Sequence, residues 1–235
     1  MKPRFVGRVS AADIVTVTNA AIGFVAAAVA TVEPTLAARL ILLGAIADGL
    51  DGVVARRYGS SDAGAFLDAL ADVSTFVVAP AVLVFSLAGV ESGFGLTVAT
   101  ATTLTAGGLF VAAGVLRLGM YAAYDEDDTT TEGVQTTLAA TLLAALQVAG
   151  VTATGSVIYG IAGPTIAVAA AVVLAVAMLA PITYPDLLAG DALILGAVQA
   201  CTVLFPSALR RAFPIALLIC ALAYVTLSPR FYWRE

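Results

Sequence analysis

The stretch Ala47–Phe76 reads ADGLDGVVARRYGSSDAGAFLDALADVSTF and places two pairs of aspartates on either side of a short polar turn. Asp48 and Asp51 are three residues apart, so they share one face of a helix. Asp68 and Asp72 are four residues apart and share a face in the same way. The turn between the pairs is rich in Gly and Ser, which predicts two antiparallel helices with their carboxylates at a similar depth.

Antiparallel packing centred near Ser60 places Asp48 level with Asp72, and the same register places Asp51 level with Asp68. Carboxylates this close cannot all stay ionised unless cations hold them. Oxygen ligands without His or Cys suit hard ions such as Mg²⁺, Mn²⁺ or Ca²⁺. Two such ions, about 3.5–4 Å apart, are the usual device for in-line phosphoryl displacement. The hairpin therefore predicts a divalent metal pair and a phosphate-containing substrate.

The chain around this hairpin has the composition of a membrane protein. Of its 235 residues, 61% are hydrophobic and 11% are charged, whereas soluble domains carry about 25% charged residues. A spanning helix needs about 20 mainly apolar residues, and eight stretches approach that length. They predict an all-α polytopic bundle of about eight transmembrane helices: Ile14–Thr31, Ala37–Ala55, Gly64–Gly89, Leu96–Leu116, Val134–Val151, Ile158–Ala180, Leu187–Phe205 and Ile215–Leu227.

Charge and residue usage exclude several classes of function. The net charge of −5 argues against nucleic-acid binding, which needs a basic surface. The chain has no histidine, which removes His-ligated zinc sites and Ser-His-Asp triads. Its two cysteines, Cys201 and Cys220, lack the spacing of metal ligands. Titratable chemistry in this protein therefore falls mostly to aspartate.

The distribution of Lys and Arg sets the expected orientation in the membrane. A cytoplasmic N-terminus with eight spans leaves Arg39, Arg210 and Arg211 outside. All other basic residues are then inside: Lys2, Arg4, Arg8, Arg56, Arg57, Arg117, Arg230 and Arg234. The carboxylates accordingly lie near the cytoplasmic face of the cell membrane. The acidic segment Asp125–Glu132 is expected to be a solvated linker.

From Asp48 to Asp72 the residues spell D-x2-D-G-x2-A-R-x7-G-x3-D-x3-D. This pattern resembles the signature of the CDP-alcohol phosphotransferases, integral membrane enzymes of phospholipid synthesis. The residues Leu67–Phe76, followed by Val78-Ala79-Pro80-Ala81, resemble the branch that uses serine. The chain departs from that branch at Ala69 and Val77, and at Gln135, where the branch often has a proline.

The resemblance implies a single membrane domain, residues 1–235. It would comprise an interfacial N-terminal lead-in (residues 1–13), a six-helix catalytic core (residues 14–180) and two additional C-terminal helices (residues 187–229). Two Mg²⁺ or Mn²⁺ ions would be held by Asp48, Asp51, Asp68 and Asp72, and Asp72 would also take the proton from the attacking hydroxyl. The partners implied are a CDP-linked lipid and L-serine, with CMP as the leaving group, and the protein would form a homodimer.

The resemblance also assigns residues to the two substrates by position. Gly52, Ala55, Arg56 and Gly64 would bind the CDP-linked lipid. Arg117 is the candidate for the serine carboxylate, since its planar fork accepts a carboxylate through two hydrogen bonds. Arg117 could equally hold the lipid phosphate or be an interfacial arginine. Asn19 is a weaker substrate-binding candidate, because an Asn in a first span often bonds a neighbouring helix.

Three alternatives stay open at this point. The same chemistry could use inositol phosphate or glycerol phosphate as the acceptor. The lipid could be archaeol or diacylglycerol, and the acidic balance with a single lysine against ten arginines hints at a salt-adapted archaeal source and CDP-archaeol. An ion or proton transporter is the more distant alternative, since intramembrane aspartates mark such pathways. Transporters, however, usually place their site near the midplane on broken helices, often with repeats.

Overall fold

The computed structural model describes residues 9–59, 61–88, 97–124, 130–153, 155–185 and 187–232. Eight helices account for most of them. These are α1 (Ala11–Val29), α2 (Pro34–Tyr58), α3 (Gly64–Leu87), α4 (Val98–Tyr124), α5 (Thr136–Val148), α6 (Gly163–Met178), α7 (Ala189–Leu204) and α8 (Ala212–Phe231). Two short antiparallel pairs complete the fold: β1 (Thr130–Glu132) with β4 (Thr183–Pro185), and β2 (Val157–Ile158) with β3 (Ile161–Ala162).

The expected all-α polytopic membrane protein is confirmed. Within the described residues, four helical segments are long and apolar enough to cross a membrane, namely α1, α3, α4 and Ala208–Phe231, which contains α8. Helices α5, α6 and α7 are apolar but shorter, while the 25-residue α2 carries the charges of the aspartate motif. Each of the eight predicted spans overlaps a helix, but the span predicted at Ile158–Ala180 begins too early, because β2 and β3 occupy its first residues and α6 begins at Gly163. The spanning role of the other four helices stays a prediction.

The N-terminal boundary differs from the sequence prediction. Residues 1–8 of the predicted lead-in lie outside the described residues, and α1 begins at Ala11, ahead of the predicted Ile14. The reason is a capping box: the Asp13 amide donates to Ser10 Oγ at 3.1 Å, and the Ser10 amide donates to the Asp13 carboxylate at 2.7 Å. This reciprocal pair satisfies free backbone donors at the start of a helix. Residues 11–13 therefore belong to the first turn of α1.

The linker expected at Asp125–Glu132 also differs in part. Residues 125–129 lie outside the described residues, but Thr130–Glu132 form β1 and pair with β4. Thr131 is buried and lies opposite Tyr184 in the register. The segment therefore contributes a strand to the packed part of the molecule, which a count of its acidic residues does not reveal.

Helix α3 is tied to α1 by an irregular stretch directly after Asp72. Residues Val73–Val78 form π-helical turns, which are rare and often lie at functional sites. Here Ser74 Oγ donates to the Ala20 carbonyl at 3.1 Å. Thr75 Oγ1 donates to the Asn19 carbonyl at 2.8 Å. These bonds fix the helix that carries two of the four aspartates against the first helix.

Close packing at this contact depends on glycine. A Cβ built on Gly23 would lie 2.7 Å from Thr75 Cα and 2.8 Å from the Ser74 carbonyl carbon, and neither backbone atom can move away alone. We expect Gly23→Ala to lower the free energy of unfolding by about 1–3 kcal/mol, as overpacking does elsewhere. Thermal unfolding in detergent would show this as a lower midpoint.

The matched control is Gly108→Ala in α4, where an added Cβ meets nothing within 4 Å. Alanine is also the better helix former, so this variant should unfold at or above the wild-type midpoint. Equal midpoints for Gly23→Ala and the wild type would contradict the described contact between α1 and α3.

Candidate functional site

Three of the predicted aspartates converge where α2 meets α3. Asp48 comes from α2, and Asp68 and Asp72 come from the first turns of α3. One carboxylate oxygen from each lies within 4.8 Å of the others. Asp72 is buried, and the other two are partly buried. The antiparallel hairpin and the four-residue spacing on α3 produce this convergence, as the sequence predicts.

Asp51 lies next to this group rather than in it. Its carboxylate is buried and accepts a hydrogen bond from Thr16 Oγ1 of α1 at 2.9 Å. Asp51 and Asp68 line a common cavity, so the predicted juxtaposition of these two residues is present. The carboxylate cluster nevertheless consists of Asp48, Asp68 and Asp72, with Asp51 on its α1 side.

The cluster fits a hard divalent cation. Three acidic oxygens with no nitrogen or sulphur ligand form the donor set that such ions prefer. Within the described residues, Asp72 Oδ1 is buried and accepts no hydrogen bond, and a buried carboxylate oxygen normally has a partner. Mutual repulsion of the carboxylates and this unsatisfied oxygen are both relieved by a bound cation.

A larger cavity of about 420 Å³ opens on one side of the cluster. The three aspartates and Arg117 of α4 contribute its charged lining. Arg117 is buried, and its guanidinium lies 5.5 Å from the ring centre of Tyr121, one helical turn further on. The remaining polar lining comes from β1 and the start of α5: Thr131, Gln135, Thr136 and Thr137. A small polar or anionic molecule would find both charge and hydrogen-bonding groups here.

A smaller cavity of about 170 Å³ lies on the other side, between α1, α2 and α3. Its small lining residues include Gly52, Ala55 and Gly64, three of the four positions assigned to the CDP-linked lipid. Arg56 lies on the same helix, and its Nη1 is 3.4 Å from where a Gly52 Cβ would be. The polar residues Asp13, Thr16, Asp51 and Asp68 also line this cavity. Asp68 lines both cavities, so carboxylates border each of the two spaces.

Asn19 lies away from these cavities, in the packing of α1 against α2 and α3. It is buried, and an added Cβ on Gly44 of α2 would be 2.8 Å from its Oδ1. Its carbonyl accepts the bond from Thr75. Among the described residues, those that line the two cavities do not include Asn19. Within the described residues, the buried Oδ1 and Nδ2 of Asn19 have no hydrogen-bond partner, so both the substrate-binding role and the side-chain bond to a neighbouring helix stay predictions.

Sequence reasoning missed Thr16, although a signal for it exists. Asp13, Thr16 and Asn19 recur every third residue, and all three are buried, so they form a polar stripe on the inner face of α1. Such a stripe in an apolar helix indicates partners on a neighbouring helix. Tyr121 has a similar signal, because it follows Arg117 by four residues and shares its face.

The sequence matches the family model described as CDP-alcohol phosphatidyltransferase over residues 9–205. This range includes the aspartates and every other lining residue of the two cavities. It also extends beyond residue 180, where the predicted catalytic core ends, and takes in all of α7. Helix α8 lies outside it.

Two curated relatives match parts of the chain. Archaetidylserine synthase of Methanothermobacter thermautotrophicus is 34% identical over 114 residues, which is 46% of this chain and 45% of that protein. CDP-diacylglycerol–serine O-phosphatidyltransferase of Methanocaldococcus jannaschii is 42% identical over 83 residues, 35% of this chain and 36% of that protein. The matched stretches thus span less than half the length of each relative. The family match covers most of the chain and contains the whole candidate site, and on that ground the protein belongs to the CDP-alcohol phosphatidyltransferase family.

Proposed function

We propose that the protein transfers the phosphate-linked lipid group of a CDP-lipid to the hydroxyl of L-serine and releases CMP. The observation that supports this most strongly is the acidic cluster with two cavities beside it, which share Asp68 and of which the smaller has Gly52, Ala55 and Gly64 in its lining. Phosphoryl transfer needs the attacking and leaving oxygens on opposite sides of the phosphorus. A donor nucleotide in the smaller cavity and an alcohol in the larger one would meet at the carboxylates from opposite sides.

The chain's own residues supply binding and proton transfer. Gly52, Ala55 and Gly64 leave room for the cytidine part of the donor, and Arg56 adds a positive charge beside them. When bound, two divalent cations on the aspartates supply the positive charge that neutralises the diphosphate and the departing CMP. Mg²⁺ or Mn²⁺ is the proposed identity of these ions, and the all-oxygen ligands support a hard divalent cation.

In the reaction, the serine oxygen forms a bond to the lipid-side phosphorus. The bond from that phosphorus to the bridging oxygen of the diphosphate breaks, and CMP leaves with the electron pair. Asp72 takes the hydroxyl proton, because a hydroxyl is a poor nucleophile at its own pKa. Asp72 lines the larger cavity, so its carboxylate can accept this proton from an alcohol bound there.

The choice of serine is supported by Arg117 and by the names of both relatives. Arg117 is buried in the cavity proposed for the acceptor, where its guanidinium can bind a carboxylate in two-point fashion. Both curated relatives carry serine in their names. Inositol phosphate and glycerol phosphate have no carboxylate for this arginine, although their phosphates would also attract it.

We expect Arg117→Lys to raise the KM for L-serine by about 10- to 100-fold, the worth of a hydrogen-bonded charge contact, because lysine cannot reproduce the planar fork. The KM for the CDP-lipid should stay within a factor of about two. Arg57→Lys is the matched control, since Arg57 is exposed at the end of α2 and stacks on Tyr58. Steady-state kinetics of CMP release would measure both KM values for the wild type and the two variants. An increase confined to the CDP-lipid KM would instead assign Arg117 to the lipid phosphate.

The proposal also specifies the lipid donor, the membrane face of the site and the assembly. The lipid is CDP-archaeol and the product archaetidylserine, an identity supported by the name of the relative from Methanothermobacter thermautotrophicus and by the acidic, lysine-poor composition. The carboxylates face the cytoplasmic side of the cell membrane, as the distribution of basic residues predicts. A homodimer is the expected assembly.

The function is tested by CMP release from CDP-archaeol and CDP-diacylglycerol by the purified protein with Mg²⁺ or Mn²⁺. L-Serine is compared with inositol phosphate and glycerol 3-phosphate. Release that depends on serine, and is faster from CDP-archaeol, is the predicted result. Release with another alcohol alone would keep the site and overturn the serine assignment. No CMP release by folded protein under any condition would contradict the proposed transferase activity and favour the ion-transporter alternative.

A further inference from the structure

The C-terminal helix α8 lies beyond residue 205, where the family match ends, yet it is bonded to the sheet beside the acidic cavity. We call the pairing of β1 with β4 the ribbon. Thr131 of the ribbon lines the larger cavity, and its register partner on β4 is Tyr184. The ribbon therefore has one strand on the cavity and one strand that faces α8.

Two tyrosine hydroxyls join α8 to the ribbon. Tyr184 Oη donates to the Val225 carbonyl of α8 at 3.2 Å. Tyr224 Oη of α8 donates to the Pro185 carbonyl of β4 at 2.6 Å. The two rings also stack, with their centres 6.0 Å apart and their planes 27° apart. Tyr184 is buried, so this connection is part of the packed interior.

The sequence of α8 explains why the Val225 carbonyl accepts a bond from outside its own helix. In an α-helix that carbonyl would accept from the amide of the residue four positions later, which is Pro229. Proline carries no backbone N–H. A carbonyl without a donor is costly where water is excluded, and the hydroxyl of the buried Tyr184 supplies the donor here. Pro229 thus turns a backbone group of α8 into an acceptor for the ribbon.

On the other side of the ribbon, short contacts lead to the cavity lining. Gln135 Nε2 donates to Thr131 Oγ1 at 3.5 Å, and both residues line the cavity with Arg117. The Gly133 amide donates to the Ile182 carbonyl at 2.8 Å. Gly133 has φ +71°, and an added Cβ there would lie 2.2 Å from the Met178 carbonyl oxygen. These contacts hold the segment between β1 and α5 against the ribbon, so a shift of the ribbon would also shift this segment.

We propose that α8 holds the acceptor-binding side of the active site in place through Tyr184 and Tyr224, which act as positioning residues. The proposal rests on the proposed function, because it assigns the ribbon side of the cavity to the alcohol acceptor. The lining residues contributed by α2 and α3 have no part in this connection, so binding of the CDP-lipid is independent of it.

The test compares Tyr184→Phe, Tyr224→Phe and the double variant with the wild type. Each substitution removes a hydroxyl and keeps the ring. We expect the double variant to raise the KM for the acceptor by about tenfold, as loss of two partly buried hydrogen bonds would. The kcat and the KM for the CDP-lipid should stay nearly unchanged. The matched control is Thr226→Val, since Thr226 Oγ1 donates within α8 to the Leu222 carbonyl. That control should behave like the wild type.

A second variant separates positioning from simple loss of helix stability. Pro229→Ala gives the Val225 carbonyl an amide donor inside α8 but no bond to the ribbon. If Tyr184→Phe acts only through an unsatisfied carbonyl, adding Pro229→Ala should restore the acceptor KM, which would overturn the proposal. If the bond from Tyr184 to α8 positions the ribbon, the Tyr184→Phe/Pro229→Ala protein should still have a higher acceptor KM than the Pro229→Ala protein.

Amide hydrogen exchange provides a readout that does not require turnover. We expect faster exchange in the peptide that covers residues 130–135 in the double variant, and no change with Thr226→Val. Unchanged exchange together with an unchanged acceptor KM would overturn the proposal, as would equal increases in both KM values. If no alcohol supports CMP release by the wild type, the proposed function has failed. Unchanged amide exchange of residues 130–135 in the double variant would then be enough to refute the structural connection between α8 and the ribbon.

Discussion

Replacement of Asp72 by asparagine is expected to lower CMP release by about 1,000-fold, within the range attributed to a lost general base. The buried carboxylate is a member of the acidic cluster and lines the cavity proposed for the alcohol. Asparagine preserves its size but can neither accept the proton nor carry the charge that holds a cation. The variant should remain folded and should still bind the CDP-lipid, because the small-residue cavity is untouched.

The matched control is Asp62→Asn. Asp62 is an exposed acid in the turn of the same hairpin, away from the cluster. It should retain wild-type turnover. Substantial turnover by Asp72→Asn, in protein that unfolds at the wild-type temperature, would refute the assignment of Asp72 as the base.

Removal of divalent metal is expected to abolish turnover completely. Protein treated with chelator and shown to be metal-free should release CMP only at the rate of the protein-free mixture, and Mg²⁺ or Mn²⁺ should restore it. The expectation follows from the mutual repulsion of Asp48, Asp68 and Asp72 and from their all-oxygen donor set.

Metal binding by the aspartates can also be measured directly. Titration with Mn²⁺, followed by electron paramagnetic resonance, should show two ions per wild-type chain. Asp48→Asn should weaken binding, while Asp62→Asn should not. Full turnover by protein proven to be metal-free would contradict the assignment of the aspartates as metal ligands.

The paired aspartates show what sequence alone could establish. Their spacing fixes a shared helix face, and one short turn leaves antiparallel packing as the compact arrangement, so the convergence of Asp48 with Asp72 was predictable. The exact grouping was not. Asp51 turns to Thr16 of α1, a contact between residues 35 positions apart that depends on how α1 crosses α2. No local pattern determines that crossing.

The ribbon was beyond prediction for a related reason. Strands of three residues have little periodicity, and the partners Thr131 and Tyr184 are far apart in the chain. The acidic residues around β1 favoured a linker, and Tyr184 and Pro185 fall between the predicted spans Ile158–Ala180 and Leu187–Phe205. Pairing between such segments is determined by the packing of the long helices, which brings the ends of α4, α5 and α6 together.

The start of α1 and the π-helical turns inside α3 were also beyond prediction from hydropathy. Hydropathy located both helices, but the capping box at Ser10 moves the first one toward the N-terminus. The π-helical turns at Val73–Val78 keep α3 continuous while they direct Ser74 and Thr75 toward α1. These features depend on hydrogen bonds that an average over apolar residues does not register.

The most direct test of the central claim follows the oxygen atom of serine. The purified protein is incubated with CDP-archaeol, Mg²⁺ and L-serine labelled with ¹⁸O in its hydroxyl group, and the products are analysed by mass spectrometry. Attack by the hydroxyl on the lipid-side phosphorus predicts a serine phosphodiester lipid that retains ¹⁸O and CMP that contains none. A labelled serine ester of CMP together with released lipid phosphate would contradict the proposed bond cleavage, and absence of any serine lipid from folded, metal-loaded protein would contradict the function itself.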